Sequence, residues 1–253
     1  MAIQALIFDF DGLLMDTEAT LLDSWQWEWR QHGLELDTSG FFAEHGGDVS
    51  ESRYTALARA VGSGFDRPAS HSRRMAYREK IHTTLGLIDG IGPWLAAAQR
   101  RGLRLAVASS SPATWVRPNL ARTGDLARFD VLACGDEVDR HKPDPAVYRL
   151  ALSRLGVPPE EAVAFEDSPH GVVAAQAAGL RCVAIPNGFT ARDRYAHADV
   201  LLDRAAGVAL EEVLARLPGG ASAGGASAGG ASAGGASAGG ASAGGAGRSS
   251  SRA

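Results

Sequence analysis

Short apolar runs alternate with helical patterns along most of the chain. Runs of strand length stand at 5–8, 103–108, 131–134, 162–165 and 182–185, with a weaker one at 200–202. They are nearly continuous rather than alternating, the pattern of strands covered on both faces by helices. Helical spacing fills 91–101, 146–155 and 171–178, followed by Gly102, Gly156 and Gly179. A glycine at that place accepts the left-handed conformation that ends a helix. The alternation predicts an α/β fold, a doubly wound, mostly parallel sheet of Rossmann type.

One stretch breaks the rhythm. Residues 17–87 carry helical patterns and no convincing strand. A helix over 17–32 has Asp16 or Thr17 as its cap and Gly33 as its stop, and two more are expected over 50–61 and 69–85. An all-helical insertion directly after the first strand would stand above the C-terminal edge of the sheet, where such folds bind ligands. The expected layout is therefore a catalytic core of 1–16 and 88–218, a helical domain of 17–87, and a tail of 219–253.

Composition sharpens this in two places. The 253-residue chain is 45% hydrophobic, ample for a core, but from Gly219 it repeats Gly-Gly-Ala-Ser-Ala five times. Small residues without apolar payload cannot offset ordering entropy, so the tail is expected to be disordered and without chemistry. Two of the 25 basic side chains lie in that tail, leaving 23 against 29 acids in the body. A net negative body argues against nucleic acid as a partner. No apolar run is long enough for a bilayer, and the N-terminus lacks a basic signal region, so no membrane association or secretion is expected. Cys134 and Cys182 have no metal spacing and fit buried thiols in a reducing cytoplasm.

Four segments at strand ends carry chemistry. Asp9 and Asp11 lie two apart in Asp9-Phe10-Asp11-Gly12, on one side of an extended chain. Like charges there repel unless a cation lies between them. Glu166-Asp167 follows the run 162–165 and adds acids at a second strand end; the set Asp9, Asp11, Glu166 and Asp167 is oxygen-rich and suits Mg²⁺. Ser109-Ser110-Ser111 precedes a helix, where hydroxyls and N–H groups can seat an anion. Lys142 is one of only two lysines against 23 arginines, which singles it out as a compact point charge facing phosphoryl oxygens.

In this order and context the four segments resemble the motifs of the haloacid dehalogenase (HAD) superfamily, over residues 3 to about 215. The insertion is similar to the helical cap of subfamily I, which holds β-phosphoglucomutase and phosphoglycolate-type phosphatases. The resemblance implies Asp9 as nucleophile forming an aspartyl-phosphate, and Asp11 as general acid and base. It implies Mg²⁺ on Asp9, the Asp11 carbonyl and Asp167, with Glu166 as a further or supporting ligand. Ser109, Ser110 and Lys142 would bind the phosphate. Substrate choice would come from the helical domain: the loop of His45, Gly46 and Gly47, and Arg53, Arg73 or Arg74, unless those arginines are only solvated faces. Trp25 and Trp29 are expected in that domain's core, Trp27 facing elsewhere and exposed, and His170 capping or packing.

The implied activity is Mg²⁺-dependent hydrolysis of a small phosphorylated metabolite, a sugar phosphate or phosphoglycolate-like acid, by a cytoplasmic monomer. Two alternatives stand beside it. One is a β-phosphoglucomutase-like hexose-phosphate mutase, disfavoured because Leu21 replaces the histidine that the mutase's first cap helix carries. The other is a non-catalytic phosphoacceptor or binding module, disfavoured by the long insertion and by Asp11.

Overall fold

The computed structural model describes residues 2–42 and 50–218; the tail and the His45, Gly46 and Gly47 loop lie outside the described residues. Six strands form one sheet: β1 (Ala5–Phe8), β2 (Arg104–Ala108), β3 (Val131–Ala133), β4 (Ala162–Glu166), β5 (Arg181–Ala184) and β6 (Val200–Leu201). Every neighbouring pair is parallel, in the order β3-β2-β1-β4-β5-β6. This is the doubly wound α/β topology anticipated from the alternation of runs. Its order reverses between β1 and β4, whose register pairs Phe8 with Phe165. A crevice therefore opens beyond those two strand ends, and Asp9 and Asp167 are the residues that follow them.

The strands are covered on both sides, and alternate residues feed two separate clusters. Leu6, Phe8, Leu105, Val107, Val163 and Phe165 pack on α4 (Ile91–Arg100) and on α8 (Leu210–Ala215). The Phe8 and Phe165 rings stack at 4.6 Å, directly beneath the crevice. The opposite face is built from Ala5, Ile7, Ala106, Ala108, Ala162 and Ala164 against α6 (Ala146–Leu155) and α7 (Pro169–Ala177). Small side chains on that face let the helices approach the sheet closely, as dense packing requires. Between β2 and β3 runs α5 (Ala113–Thr123).

The segment between β1 and α4 is helical, as its pattern predicts. It contains α1 (Thr17–Gln31), α2 (Ser50–Val61) and α3 (Arg67–His82). Asp16, not Thr17, caps α1, accepting from the Ala19 N–H at 3.0 Å. The third helix starts two residues earlier than its periodicity suggests, because Asp66 caps it and accepts from Ala69 N–H. It also ends three residues earlier: Thr84 and Leu85 bond back only three positions, to Ile81 and His82, which tightens the last turn. A hydrophobic and polar seam joins α1 to α3, with Trp25 and Tyr54 in its interior.

Candidate active site

Both strand ends turn sharply, and glycine makes this possible. Gly12 has φ +81°, and a Cβ there would stand 2.0 Å from Asp167 Oδ2. A Cβ on Gly171 would fall within 2.0 Å of the Glu166 carboxyl. The two loops can thus bring their carboxylates together only with bare backbone at these points. Ligand atoms of Asp9, Glu166 and Asp167 lie within 4.8 Å of one another, all three residues buried.

Lys142 reaches this cluster from the loop ahead of α6, through a cis Lys142–Pro143 bond. Its Nζ donates to Asp9 Oδ1 at 2.5 Å, to Glu166 Oε1 at 2.6 Å and to the Ala108 carbonyl at 2.9 Å. Burial works against the ammonium, but Asp9 and Glu166 outweigh it and hold its pKa above the ordinary lysine value. Glu166 is fully committed to this task. Its Oε1 also accepts from Tyr148 Oη at 2.5 Å, and its Oε2 accepts from Ser168 Oγ at 3.2 Å. Three side-chain donors thus occupy its carboxyl, whereas one oxygen of Asp9 has no protein donor among the described residues, and all three acids remain within reach of a common ion.

Burial lifts the Asp9 carboxyl to about 7, with Lys142 opposing and Glu166 and Asp11 adding to the rise. Asp167 is driven well above the carboxylate range by burial and by Asp9, Glu166 and Glu18. Two buried acids that resist ionisation beside each other are what a divalent cation relieves. The donors are oxygen only, and the residues present fit Mg²⁺. Asn187 Nδ2 donates to Asp167 Oδ2 at 2.9 Å and fixes its rotamer.

Asp11 is held apart from this group by four donors, one of them the Ser109 Oγ to its Oδ2 at 3.5 Å. Thr17 Oγ1 and Trp115 Nε1 each donate to Oδ1 at 2.9 Å, and Ser111 Oγ donates to Oδ2 at 2.6 Å. Ser109 is buried beneath, its Oγ accepting from Ser111 N–H at 3.0 Å, while Ser110 is exposed on the rim. The first helical N–H of α5, that of Ala113, goes to Asp136, and Pro112 has none. Of the groups expected to seat an anion, the Ala113 N–H is thus taken, while Ser109, Ser110, Ser111 and Lys142 line the cleft.

Asp9, Asp11, Ser109, Ser110, Lys142 and Asp167 line one cleft of about 730 Å³, with Glu166 behind it. The helices contribute Glu18 from α1 and Arg78 from α3 to its wall, neither singled out by the sequence. Burial and Asp11 raise Glu18 to about 7 against the pull of Arg78 and Arg53.

The other arginines do not reach the cleft. Arg53 lies 3.8 Å over the Phe41 ring and donates to the Phe41 carbonyl. Arg73 pairs with the buried Glu28 at 2.6 Å, and Arg74 is itself buried, donating to Tyr54 and Ser24. Trp25 is in the helical core as expected, and Trp29 is half-buried beside it in the wall of a smaller cavity. Trp27 is half-buried rather than exposed, since Tyr77 of α3 stacks on it at 4.5 Å. His170 lines the cleft's edge next to Ser168, which caps α7.

Residues 6–185 match the family model of haloacid dehalogenase-like hydrolases. The chain belongs to that family. It is 38% identical to protein CbbY of Cereibacter sphaeroides, over 79% of this chain and 92% of that one. It is 33% identical to validoxylamine A 7'-phosphate phosphatase of Streptomyces hygroscopicus subsp. limoneus, over 78% and 91%. The crystal structure of a CbbY mutant from Rhodobacter sphaeroides in complex with xylulose-(1,5)bisphosphate superimposes with a TM-score of 0.63 at 34% identity, covering 81% and 96%. Phosphatase is the activity that the relatives' names support for this chain.

Proposed function

We propose that this enzyme hydrolyses a small phosphorylated sugar through a phosphorylated Asp9, and that residues 17–87 act as a cap over the site. One observation carries the reading: Asp9, Asp11, Ser109, Lys142 and Asp167 face one cleft at the switch point between β1 and β4. Relatives named as phosphatases of validoxylamine A 7'-phosphate and of fructose 1-phosphate, and a CbbY mutant solved with xylulose-(1,5)bisphosphate, support the substrate class.

The ester's phosphoryl group docks on Ser109, Ser110 and Lys142, whose charge offsets the growing negative charge on its oxygens. Asp9 has one oxygen tied to Lys142, and its other oxygen attacks phosphorus. As the Asp9 O–P bond forms, the bond from phosphorus to the leaving oxygen breaks, and Asp11 gives that oxygen a proton. Asp11 then takes a proton from water, which attacks phosphorus and releases inorganic phosphate and free Asp9. Mg²⁺ on Asp9, Asp167 and the Asp11 carbonyl would supply charge neutralisation between the carboxylates and the phosphoryl oxygens. Thr17, Ser111 and Trp115 orient Asp11, and Glu166 with Tyr148 orients Lys142.

Hydrolysis is favoured over the mutase alternative because Leu21, an apolar residue, lines the cleft where a mutase would carry an imidazole. The free thiols of Cys134 and Cys182 accord with a reducing cytoplasm. Among the described residues no helix is long and apolar enough to cross a membrane.

Asp9→Asn is the decisive test. It removes the nucleophile while keeping its shape, and phosphate release from sugar phosphates in Mg²⁺ should fall at least about 10³-fold. Turnover within about tenfold of the parent would assign the attack to another group.

A further inference from the structure

A second cavity adjoins the cleft, and nothing in the phosphoryl chemistry uses it. It has about 980 Å³ against about 730 Å³ for the cleft, and it opens between α3 and α5. Asp11, Ser111 and Arg78 line both spaces, so the two meet where Asp11 stands. Trp115, Met75, Ala76 and Pro118 give the second space apolar walls. Met75 is 40% exposed there, one of three large apolar side chains so exposed among the described residues. The indole of Trp115 is fixed at three points: its N–H on Asp11 at 2.9 Å, its ring against His82 at 4.8 Å and the Arg78 guanidinium 5.7 Å from the ring centre. Arg122 adds a cation to the rim, held on the Thr83 carbonyl.

Geometry assigns a direction. The leaving oxygen departs on the side of phosphorus away from Asp9, and it must meet Asp11 to be protonated. From Asp11 the larger cavity is the continuation of the cleft. A ring that passes this point meets a fixed aromatic wall, the surface on which the C–H face of a sugar packs while its hydroxyls stay hydrated. The volume is at the upper end of the ~300–1,000 Å³ that enclose ligands of drug size.

We propose that the cavity between α3 and α5 is the distal leaving-group site, and that the enzyme prefers phosphate monoesters whose leaving group is longer than one sugar ring. The proposal rests on the phosphatase reading above and adds where the alcohol lies and how large it is. A two-ring leaving group places its phosphate-bearing ring in the cleft and its second ring beside Trp115, Met75 and Ala76. A two-carbon or single-ring alcohol leaves this space filled by water and forgoes the contact.

The test compares trehalose 6-phosphate with glucose 6-phosphate by phosphate release in Mg²⁺, in the full chain and in Ala76→Phe and Ser72→Phe. Both substituted positions are exposed on α3 and line only the second cavity. The parent should favour the disaccharide ester by about tenfold in kcat/KM, and each phenylalanine should remove that preference through KM. Glucose 6-phosphate should stay within about twofold in both variants, which also shows that they fold. A parent that treats the two esters alike, or variants that slow both alike, would overturn the proposal while the phosphatase reading stands. No phosphate from either ester in the parent would overturn the reading itself.

Discussion

The sheet edge and the helices above it use polar residues in opposite ways. At the edge, Lys142 ties Asp9 to Glu166 at the end of β4, and Asp167 stands beside them on Asn187, all buried around an open cleft. In the helices, Arg73 with Glu28 and Arg74 with Tyr54 and Ser24 close on themselves and face the seam between α1, α2 and α3. Among the described residues, Glu18 and Arg78 are the charged groups that these helices extend into the cleft. Buried ionic groups thus border an open cleft at one place and close on their own partners at the other, and burial alone does not distinguish them. What distinguishes them is whether like charges are crowded: at the edge Asp9 and Glu166 share one ammonium with Asp167 close by, whereas Arg73 and Arg74 each have matching acceptors.

That contrast breaks most easily at Lys142. Lys142→Met removes the ammonium between Asp9 and Glu166 and leaves the two to repel each other. We expect kcat to fall about 10²–10³-fold in steady-state phosphate release. An edge whose charges were merely structural would lose stability but keep most of its turnover.

Burial of these acids, with their crowding added to it, also predicts a pH and metal dependence. Asp9 has a folded-state pKa of about 7 against an ordinary 3.8, and Glu18 is raised in the same way. Between those values the folded protein holds protons that the unfolded chain has released. The stability from these groups is complete below about 3.8 and is lost as pH climbs to about 7. The metal-free protein should therefore melt lower at pH 8 than at pH 5.5. Mg²⁺ replaces the protons, so its stabilisation should be larger at pH 8. At about 100 times its Kd an ion adds about 2.7 kcal/mol, or roughly 5–10 °C in Tm for a body of this size. Scanning calorimetry with EDTA and with Mg²⁺ at both pH values reads this directly. Equal shifts at the two pH values would place the ion away from Asp9.

The same contrast explains what was legible in the sequence. Parallel strands all end at one edge, so acids written just after two apolar runs must lie near each other whatever the packing in between. Asp9, Asp11, Glu166, Asp167 and Ser109 stand out for that reason and Lys142 for the rarity of lysine in the chain, while the strands and the helices Ser50–Val61 and Ala146–Leu155 follow from the apolar pattern. Ser111 was within reach of the same logic, two positions from Ser109 on an extended segment. Trp115, Tyr148 and Asn187 were not, because each meets its partner only after a helix or loop packs at a given angle. The helical arginines failed for a related reason. Arg73 and Arg74 are adjacent and 100° apart on α3, whereas Arg74 and Arg78 share a face one turn apart, and only Arg78 reaches the cleft.

Arg74 offers the gentlest test of this division. The residue is 3% exposed, and its guanidinium donates to Tyr54 Oη at 2.8 Å and to Ser24 Oγ at 3.2 Å and lies 4.2 Å over the Trp25 ring. Arg74→Met keeps most of the volume but loses both hydrogen bonds and the cation over the indole. The partners left behind are neutral, and Tyr54 Oη retains His71 Nδ1 at 3.0 Å. The loss should be about 1–3 kcal/mol, several degrees in Tm, rather than the larger cost of stranding a buried charge. Turnover measured well below Tm should remain within about twofold, because none of these groups lines the cleft. A kcat loss as large as that of Lys142→Met, in a protein still folded at the assay temperature, would show that the helical seam sets the geometry of the edge. The two regions would then be one catalytic unit rather than a site and its roof.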